Sequence, residues 1–543
     1  MIKNILFSTL LMVMLMATQS FAQGYKIKVK MSQLKNQELI LGHHFATMLI
    51  PDDTLVLNSK GEGFFKGKDN LKEGMYFIFL PTKKTFDIIV GNDQEFTVTN
   101  DTVNLRKYLK VDGDIENTIF VDYQYFLDKQ RKDAQKLSEE RKTAKGDAKN
   151  AIVKKLSQIN VDVKKEANLI IDANPDFFFS KFIKATLEID IPATVQGQEG
   201  RYYYYRGQYF QYFDFKDARL LRSPIYESKL DYYLDKIIPK DPDSVIVQVD
   251  MLIEGSRHDK ELFRYMLVHL FSKYGKGEIM GYENVYVHIA DKYYIPDAEW
   301  SDREYIEELK GKVERKKSAL IGNIAPEIKM NLLPHDLADV EALRDQLDDL
   351  NTKGNTYLEN ERLIDQQTKE FKLNYPNYSD SAAREQVKIN NLATIVDEEF
   401  LTGFEGFSSL HQINTKYTIM WFWEPDCSHC KTMTPKLLKA YNEKNLRDKG
   451  VTVFSVYLNR NINEWDRYTN HIKKWFDFVI EHEMTPFINV WEPFGYTRFR
   501  DKYDISSSPV LYLLDENKKI IAKRISSEQA ISIIEEIEKS KKK

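Results

Sequence analysis

Two cysteines, the only ones in the 543-residue chain, lie three positions apart in the stretch WFWEPDCSHCKTMTPKL, residues 421–437. A pair at this spacing can act as a redox dithiol, contribute to a metal site, attach haem, or be two buried thiols without chemistry. Cys427 follows an apolar, strand-like segment and precedes a helix-prone one, which predicts a helix N-terminus at this cysteine. Backbone N–H groups and the helix dipole stabilise a thiolate there. The favoured interpretation is a dithiol in which Cys427 attacks and Cys430 resolves the mixed disulfide.

The residues beside the two cysteines are predicted to tune this dithiol. Ser428 and His429 lie between them, and a positively charged His429 in the first helical turn would lower the pKa of Cys427. The carboxylate of Asp426 acts in the opposite direction, because a neighbouring negative charge disfavours a thiolate. The sequence alone leaves open which of these influences is stronger.

The other interpretations of the cysteine pair fit the sequence less well. Haem attachment needs a histidine directly after the second cysteine, and Lys431 stands there. A structural zinc site needs four ligands, and the chain has no further cysteine to supply them. Copper transfer that uses Met420 or Met433, and two inert thiols in a binding domain, stay open as minor alternatives. No metal and no other cofactor is therefore predicted.

The first 22 residues have the pattern of a secretory signal peptide. Lys3 precedes an apolar run from Ile5 to about Ala17, and a small-x-small pattern ends at Ala22, the expected cleavage site. The run is shorter than the roughly 20 apolar residues that span a bilayer. No later segment is apolar enough, so we expect a secreted protein without a stable membrane span.

Length and composition predict several folded domains. Hydrophobic residues make up 42% of the 543-residue chain and aromatic residues 13%, which is enough for more than one core. The formal net charge is −4, and this near balance gives no reason to expect a nucleic-acid partner.

Residues 23–114 are predicted to form an antiparallel β-sandwich. Short runs alternate between apolar and polar residues, and Gly61 and Gly63 allow a tight hairpin in NSKGEGFF. His43 and His44 are neighbours in a predicted strand, so they point to opposite faces and are not expected to share a metal.

Residues 115–317 are predicted to form an all-helical domain. A long helical hairpin is expected at 117–172, where apolar residues recur every three or four positions and Gly146 interrupts the pattern. The aromatic run RYYYYRGQYFQYFDF, residues 201–215, could form a stacking platform for sugars or a peptide. We favour the interpretation that these rings pack between helices.

Residues 318–543 are predicted to form an α/β domain with a polar helical insert at about 336–400. After the insert, strands and helices alternate from the strand YTIMWFWE and a helix at Ser428 to a last helix at Ser527. This alternation is typical of a sheet that is covered by helices on both faces.

The segment FWEPDCSHCKTMTP resembles the active-site segment of the thioredoxin superfamily, in particular its extracytoplasmic TlpA/ResA-like branch in the Bacteroidota. Three further features match: Pro435 lies five residues after Cys430, Pro509 stands where the family has a cis-proline, and IGNIAPEI lies at the entrance of the domain. The resemblance covers about residues 322–541 without the insert. By pattern, residues 23–317 also resemble the uncharacterised β and helical modules that precede such domains in these bacteria.

This resemblance implies a role for the peptide bond between Ser508 and Pro509. The bond is expected to be cis, to pack beside Cys427 and to offer a backbone edge to a substrate strand.

Two positions depart from the family pattern. Trp421 stands where thioredoxins have a buried carboxylate, and Met433 stands where the ResA-like branch has a glutamate. Deprotonation of Cys430 must therefore use another base. We predict Glu424, the nearest candidate base, as the proton relay, with water as the alternative.

The dithiol and the resemblance together predict a periplasmic thiol–disulfide oxidoreductase that is exported across the inner membrane and uses a redox disulfide between Cys427 and Cys430. Client proteins with cysteines or disulfides and a membrane or periplasmic electron donor are the expected partners. The family favours the reductase direction, whereas His429 favours an oxidant. The alternative is a periplasmic binding or scaffold protein in which the thioredoxin-like domain is largely structural.

Overall fold

The computed structural model describes residues 24–277, 279–459 and 464–541. The predicted signal peptide, residues 1–22, lies outside these ranges. The chain forms two compact units, which are divided in the sequence between Val268 and His269. Within the described ranges, no helix combines the length and the apolar composition needed to cross a membrane.

The first unit begins with eight strands in two four-stranded sheets. The first sheet has the order β4-β1-β7-β8 and the second the order β3-β2-β5-β6. All pairs are antiparallel except β1 with β7, because β7 returns to the first sheet only after the chain has passed through the second. The strands are β1 Tyr25–Lys30, β2 Glu38–Phe45, β3 Met48–Val56, β4 Glu62–Gly67, β5 Gly74–Phe79, β6 Thr85–Val90, β7 Glu95–Thr99 and β8 Lys110–Asp112.

The predicted hairpin opens the helical region, where Gly146 begins its second helix with a φ of +54° that favours glycine. The helices are α1 Ile115–Thr143, α2 Gly146–Ala173, α3 Phe178–Thr186, α4 Gln198–Tyr212, α5 Tyr226–Tyr232, α6 Pro242–Ser256 and α7 Lys260–Gly275, the last of which crosses the boundary between the units.

Three of the nine rings of the aromatic run are buried and five are half-buried, which agrees with the packing role that we favoured. Tyr209, Phe213 and Phe215 are each 3% exposed or less, and the Tyr209 hydroxyl donates to the carbonyl of Lys229. Tyr203, by contrast, is 58% exposed. The rings therefore pack mainly between helices.

The second unit contains a seven-stranded sheet with the order β10-β9-β13-β12-β11-β14-β15. The central strands β11, β12 and β13 are parallel, and the flanking strands run antiparallel to their neighbours. The strands are β9 Lys329–Leu332, β10 Phe407–Ser409, β11 Tyr417–Trp423, β12 Val451–Tyr457, β13 Ile488–Trp491, β14 Val510–Leu514 and β15 Ile520–Lys523. Three of them, β9, β10 and β13, are not predicted from the sequence, because they are strands only through pairing with distant neighbours.

The second unit also contains the remaining helices. They are α8 Tyr282–Ile289, α9 Ile295–Asp297, α10 Arg303–Lys317, α11 Leu337–Asp345, α12 Leu347–Glu359, α13 Glu361–Asn374, α14 Asp380–Ile395, α15 Ser428–Glu443, α16 Trp465–Glu481, α17 Phe499–Lys502 and α18 Ser527–Lys541. The predicted series of an N-terminal β region, a central helical region and a C-terminal α/β domain with a helical insert is confirmed.

Every residue of β11 is buried, because both faces of this central strand lie against packed side chains. Ile419, Trp421 and Trp423 point into one hydrophobic cluster, whereas Met420 and Phe422 point into the other. This alternation follows from the period of two in a strand. Packing on both faces fixes the end of β11 and therefore the start of the loop that leads to Cys427.

The helical insert packs on α16. Gly354 in α12 allows the closest approach, because a Cβ atom there would lie 2.1 Å from the ring of Trp465. The Trp465 indole donates to the carbonyl of Asn351 at 3.1 Å, and the Thr469 hydroxyl donates to the Asn351 side chain at 2.9 Å. The insert thereby covers α16, the helix that carries His471.

Helices α8 and α10 belong to the second unit and are tied to its sheet by ion pairs. Lys316 lies 2.6 Å from Glu283 and 2.9 Å from Asp504, and Lys523 on β15 also pairs with Glu283. The boundary between the two compact units lies at Val268. The predicted domain borders at residues 114 and 317 stay predictions.

Candidate active site

Cys427 lies at the N-terminus of α15, as the sequence predicts. It is the N-cap residue, with φ −77° and ψ 122°, and its sulfur accepts the backbone N–H of Cys430 at 3.3 Å. The loop from the end of β11 to this cap is only three residues long. The free N–H groups of the first helical turn therefore surround the sulfur.

The two cysteines differ in exposure and in acidity. Cys427 is half-buried and Cys430 is fully buried, and both are free thiols. Burial disfavours the Cys427 thiolate, but hydrogen bonds from the Cys430 thiol and N–H, the Ser508 hydroxyl and the His429 N–H outweigh it and lower the pKa of Cys427. Burial, with a hydrogen bond to Cys427, raises the pKa of Cys430 to about 12. The Cys427 thiol therefore ionises more readily, and the Cys430 thiol stays protonated at neutral pH.

The peptide bond between Ser508 and Pro509 is cis, which is the geometry that the resemblance implies. It lies next to the dithiol, because the Cys427 thiol donates to the Ser508 carbonyl oxygen at 3.4 Å. Ser508 and Pro509 are both half-buried, so the backbone just before β14 borders the reactive sulfur. Their role in holding a substrate stays a prediction.

The three predicted tuning residues are all exposed. His429 reaches Cys427 through its backbone N–H, which is among the groups that lower the pKa of Cys427. The carboxylate of Asp426 lies 3.0 Å from the ammonium of Lys474, so its negative charge is partly balanced. The effects of Ser428, His429 and Asp426 on the redox potential stay predictions.

Trp421 and Met433 occupy the two positions that depart from the family pattern. Trp421 is 1% exposed, and its indole N–H donates to the hydroxyl of the fully buried Thr434 at 3.0 Å. Met433 is half-buried and packs against the hydrophobic cluster that contains Trp421. Both positions are filled by side chains that cannot take up a proton from Cys430.

Glu424, predicted as the proton relay, belongs to a polar group beside the dithiol. Its Oε1 atom accepts the Ser508 hydroxyl at 2.9 Å, and its Oε2 atom lies 3.6 Å from Nε2 of His471. The same His471 nitrogen lies 3.7 Å from Asp426, and Nδ1 lies 2.5 Å from the Tyr457 hydroxyl. The carboxylate is thus connected to the backbone position that contacts Cys427.

His471 and Tyr457 are functional candidates that the sequence analysis missed. His471 is 1% exposed on α16, and Tyr457 is fully buried at the end of β12. The sequence does contain a signal for His471, since it lies among the apolar residues that recur every three or four positions in this helix. That position predicts burial, and a buried polar side chain needs a hydrogen-bond partner.

A cavity of about 800 Å³ adjoins Glu424. Its walls come from α16, from the end of β12, from the segment before α17 and from the insert. The polar and charged residues that line it are Glu424, Asn459, Glu464, Arg467, Arg498, Arg500 and Asp501. Among the described residues, no group of three or more histidine, cysteine, aspartate or glutamate side chains is arranged to hold a metal ion.

Comparison with protein families gives two matches. Residues 414–520 match a family described as thioredoxin-like, and residues 132–315 match a domain of unknown function, DUF5106. Among curated proteins, none matches the chain significantly.

Several solved structures are similar to parts of the chain. A thioredoxin-like protein from Bacteroides caccae is 16% identical, with coverage of 65% of this chain and 98% of that chain and a TM-score of 0.37. A domain of a possible thiol-disulfide isomerase from Cytophaga hutchinsonii is 35% identical, with coverage of 26% and 86% and a TM-score of 0.22. The thioredoxin domain of a thiol-disulfide oxidoreductase from Bacteroides vulgatus is 26% identical, with coverage of 24% and 86% and a TM-score of 0.20.

The matched segment 414–520 begins just before β11 and ends in β15. It therefore contains both cysteines, the helix that starts at Cys427 and the cis bond before Pro509. Through this C-terminal domain, the chain belongs to the thioredoxin-like family.

Proposed function

We propose that this protein is a periplasmic thiol–disulfide oxidoreductase that reduces client proteins through Cys427 and Cys430. The thioredoxin-like domain supports a general redox function. The observation that carries the proposal is the difference between the two thiols, since the pKa of Cys427 is lowered at a helix N-terminus while that of Cys430 is raised to about 12. An attacking thiolate beside a protonated resolving thiol is the arrangement that disulfide exchange requires.

The reaction transfers two electrons to the client. The Cys427 thiolate attacks one sulfur of the client disulfide, forms a mixed disulfide and releases the other client sulfur, which takes a proton. Cys430 then loses its proton and attacks the Cys427 sulfur. This step forms the Cys427–Cys430 disulfide and releases the second client thiol. A membrane or periplasmic electron donor must afterwards reduce the pair.

The backbone beside the cis bond is the proposed docking edge for the client. The Ser508 carbonyl lies 3.4 Å from the Cys427 sulfur, so a client strand that pairs with this segment brings its disulfide to the reactive atom.

Trapping tests the activity. Replacing Cys430 by Ser keeps the attacking thiolate but blocks resolution, so mixed disulfides with client proteins should accumulate in a periplasmic extract. The Cys427→Ser variant is the matched control and should trap none. If neither variant forms adducts and the wild type does not accelerate insulin reduction by dithiothreitol, the chain is instead a binding or scaffold protein.

Equilibration with glutathione tests the direction. A potential near about −270 mV is expected for a reductase, whereas a value near about −120 mV would identify an oxidant. Fractionation of cells that produce the full-length chain tests the location, and recovery from the periplasm without residues 1–22 is the expected result.

A further inference from the structure

The resolving step needs a base that the family's usual positions do not supply. Cys430 is fully buried, and its pKa of about 12 keeps it protonated at neutral pH. Trp421 and Met433 stand at the two positions where relatives have a carboxylate. The proton of Cys430 must therefore leave through other groups.

We propose that Ser508 and Glu424 form the proton relay of the resolving step, and that His471 holds the Glu424 carboxylate in place. In this relay, the Ser508 hydroxyl takes the proton of Cys430 and passes its own proton to Glu424. The freed Cys430 thiolate attacks Cys427 and displaces the client sulfur. The proposal rests on the proposed function and assigns Ser508 and His471 roles that the sequence did not suggest.

Ser508 contacts both the dithiol and the Glu424 carboxylate. Its Oγ atom donates to Glu424 Oε1 at 2.9 Å, and the carbonyl of the same residue accepts the Cys427 thiol at 3.4 Å. The side chain of Ser508 is also a hydrogen-bond partner of Cys427 and of Cys430, and the backbone of Glu424 is a partner of Cys430. A hydroxyl can give and accept a proton at once, so it can connect a thiol to a carboxylate.

His471 acts through Glu424 and is a positioning residue. Its Nδ1 atom lies 2.5 Å from the Tyr457 hydroxyl. Nε2 faces Oε2 of Glu424 at 3.6 Å and Asp426 at 3.7 Å. The imidazole is 1% exposed, so packing fixes its orientation and leaves Oε1 of Glu424 directed at Ser508.

Both acidic and basic side chains lie around the relay, and the proton that Glu424 receives can reach solvent. Asp426 pairs with Lys474, and Arg500 donates to the carbonyl of Asn459. Glu424 is 21% exposed in its side chain and borders the cavity of about 800 Å³, so its proton can pass to water there. The other charged residues of that cavity are Glu464, Arg467, Arg498 and Asp501, which form two local ion pairs.

A two-phase reaction with 5,5′-dithiobis(2-nitrobenzoate) tests the relay on the reduced full-length protein. Attack by Cys427 releases the first coloured thiolate, and attack by Cys430 on the resulting mixed disulfide releases the second. Glu424→Gln and Ser508→Ala should slow the second phase at least about tenfold at neutral pH, since general bases commonly contribute 10²- to 10⁴-fold. The second-phase rate should recover as the pH rises, because hydroxide then replaces the relay.

Matched variants separate the relay from simple damage to the site. Ser508→Thr keeps the hydroxyl and should retain the second-phase rate within about threefold, against the loss in Ser508→Ala. His471→Gln should slow the second phase and shift its pH profile towards that of Glu424→Gln. If His471→Gln does not fold, Tyr457→Phe removes only the hydroxyl that orients the imidazole and should shift the profile in the same direction.

The outcomes distinguish the relay from the proposed function. Wild-type second-phase rates and pH profiles in both Glu424→Gln and Ser508→Ala would overturn the relay while leaving the oxidoreductase intact. Equal slowing of both phases at every pH would also overturn it, because that result indicates a displaced dithiol. Absence of the first phase in the wild-type protein would instead contradict the proposed function.

Discussion

The sulfur of Cys427 lies 3.3 Å from the backbone nitrogen of Cys430, so the second cysteine of the pair stabilises the thiolate of the first. The Cys430 thiol adds a second hydrogen bond to the same sulfur, at the expense of its own ionisation. The spacing of the pair thus gives the two cysteine thiols different pKa values.

We expect alkylation to distinguish the two cysteines. Because the pKa of Cys427 is lowered, iodoacetamide should modify it at a pH below the usual thiol range near 8.5, and the rate should fall as the pH falls through this lowered pKa. Cys430, with a pKa of about 12, should stay unmodified at neutral pH. Mass spectrometry of the reduced protein locates the label.

Two variants of the second cysteine provide the control. Cys430→Ser keeps a side-chain donor to the Cys427 sulfur, whereas Cys430→Ala removes it. The alkylation midpoint of Cys427 should therefore lie at higher pH in Cys430→Ala. Equal midpoints in the two variants would show that the side chain of residue 430 does not stabilise the thiolate.

Trp421→Phe should destabilise the second unit by about 1–3 kcal/mol, because the hydroxyl of the fully buried Thr434 loses its partner. The double variant Trp421→Phe with Thr434→Val should recover part of this loss, since it removes both polar groups. All six tryptophans lie at or after residue 300, so tryptophan fluorescence during urea unfolding reports on the second unit. If the loss of stability in the double variant equals the sum of the losses in the two single variants, Trp421 and Thr434 are not coupled.

Gly354→Ala should detach the helical insert from α16. The new Cβ atom would lie 2.1 Å from a carbon of the Trp465 ring, which is too rigid to yield, so a loss of at least about 1–3 kcal/mol is expected in the same fluorescence assay. Gly207→Ala in α4 is the matched control. No atom lies within 4 Å of its added Cβ, so it should stabilise the first unit by about 0.5–1 kcal/mol. A neutral Gly354→Ala variant would show that the insert is not held by this contact.

Glu116 should make the stability of the first unit depend on pH. Burial raises the pKa of this carboxyl from 4.5 to about 7, while its hydrogen bond from the Phe179 N–H and the nearby charge of Asp114 act in opposite directions. A pKa raised in the folded state gives stability that is fully present below about pH 4.5 and is lost as the pH rises through about 7.

Glu116→Gln removes this titration and provides the comparison. The free energy of unfolding of the wild type, relative to the variant, should fall by on the order of 1–3 kcal/mol between pH 5 and pH 8. Circular dichroism during urea unfolding measures it, with tryptophan fluorescence of the second unit as the internal control. A difference that stays constant over this pH range would mean that Glu116 keeps its ordinary acidity.

Much of the fold could be predicted because its signals are local. The strands of the N-terminal region, the hairpin around Gly146 and the alternation after residue 417 depend on residues only a few positions apart. The short strands β9, β10 and β13 could not be predicted, because they are strands only through pairing with distant neighbours.

For the candidate site, the sequence by itself determined the candidate dithiol, since Cys427 and Cys430 are three residues apart at a strand-to-helix junction. Tertiary structure alone decided what surrounds them. Ser508 is 81 positions from Cys427 and His471 lies on another helix, so only the order of β12, β11 and β14 in the sheet brings them to Glu424. A proton path needs atoms within hydrogen-bonding distance, and sequence spacing does not fix that distance between elements that meet through sheet pairing.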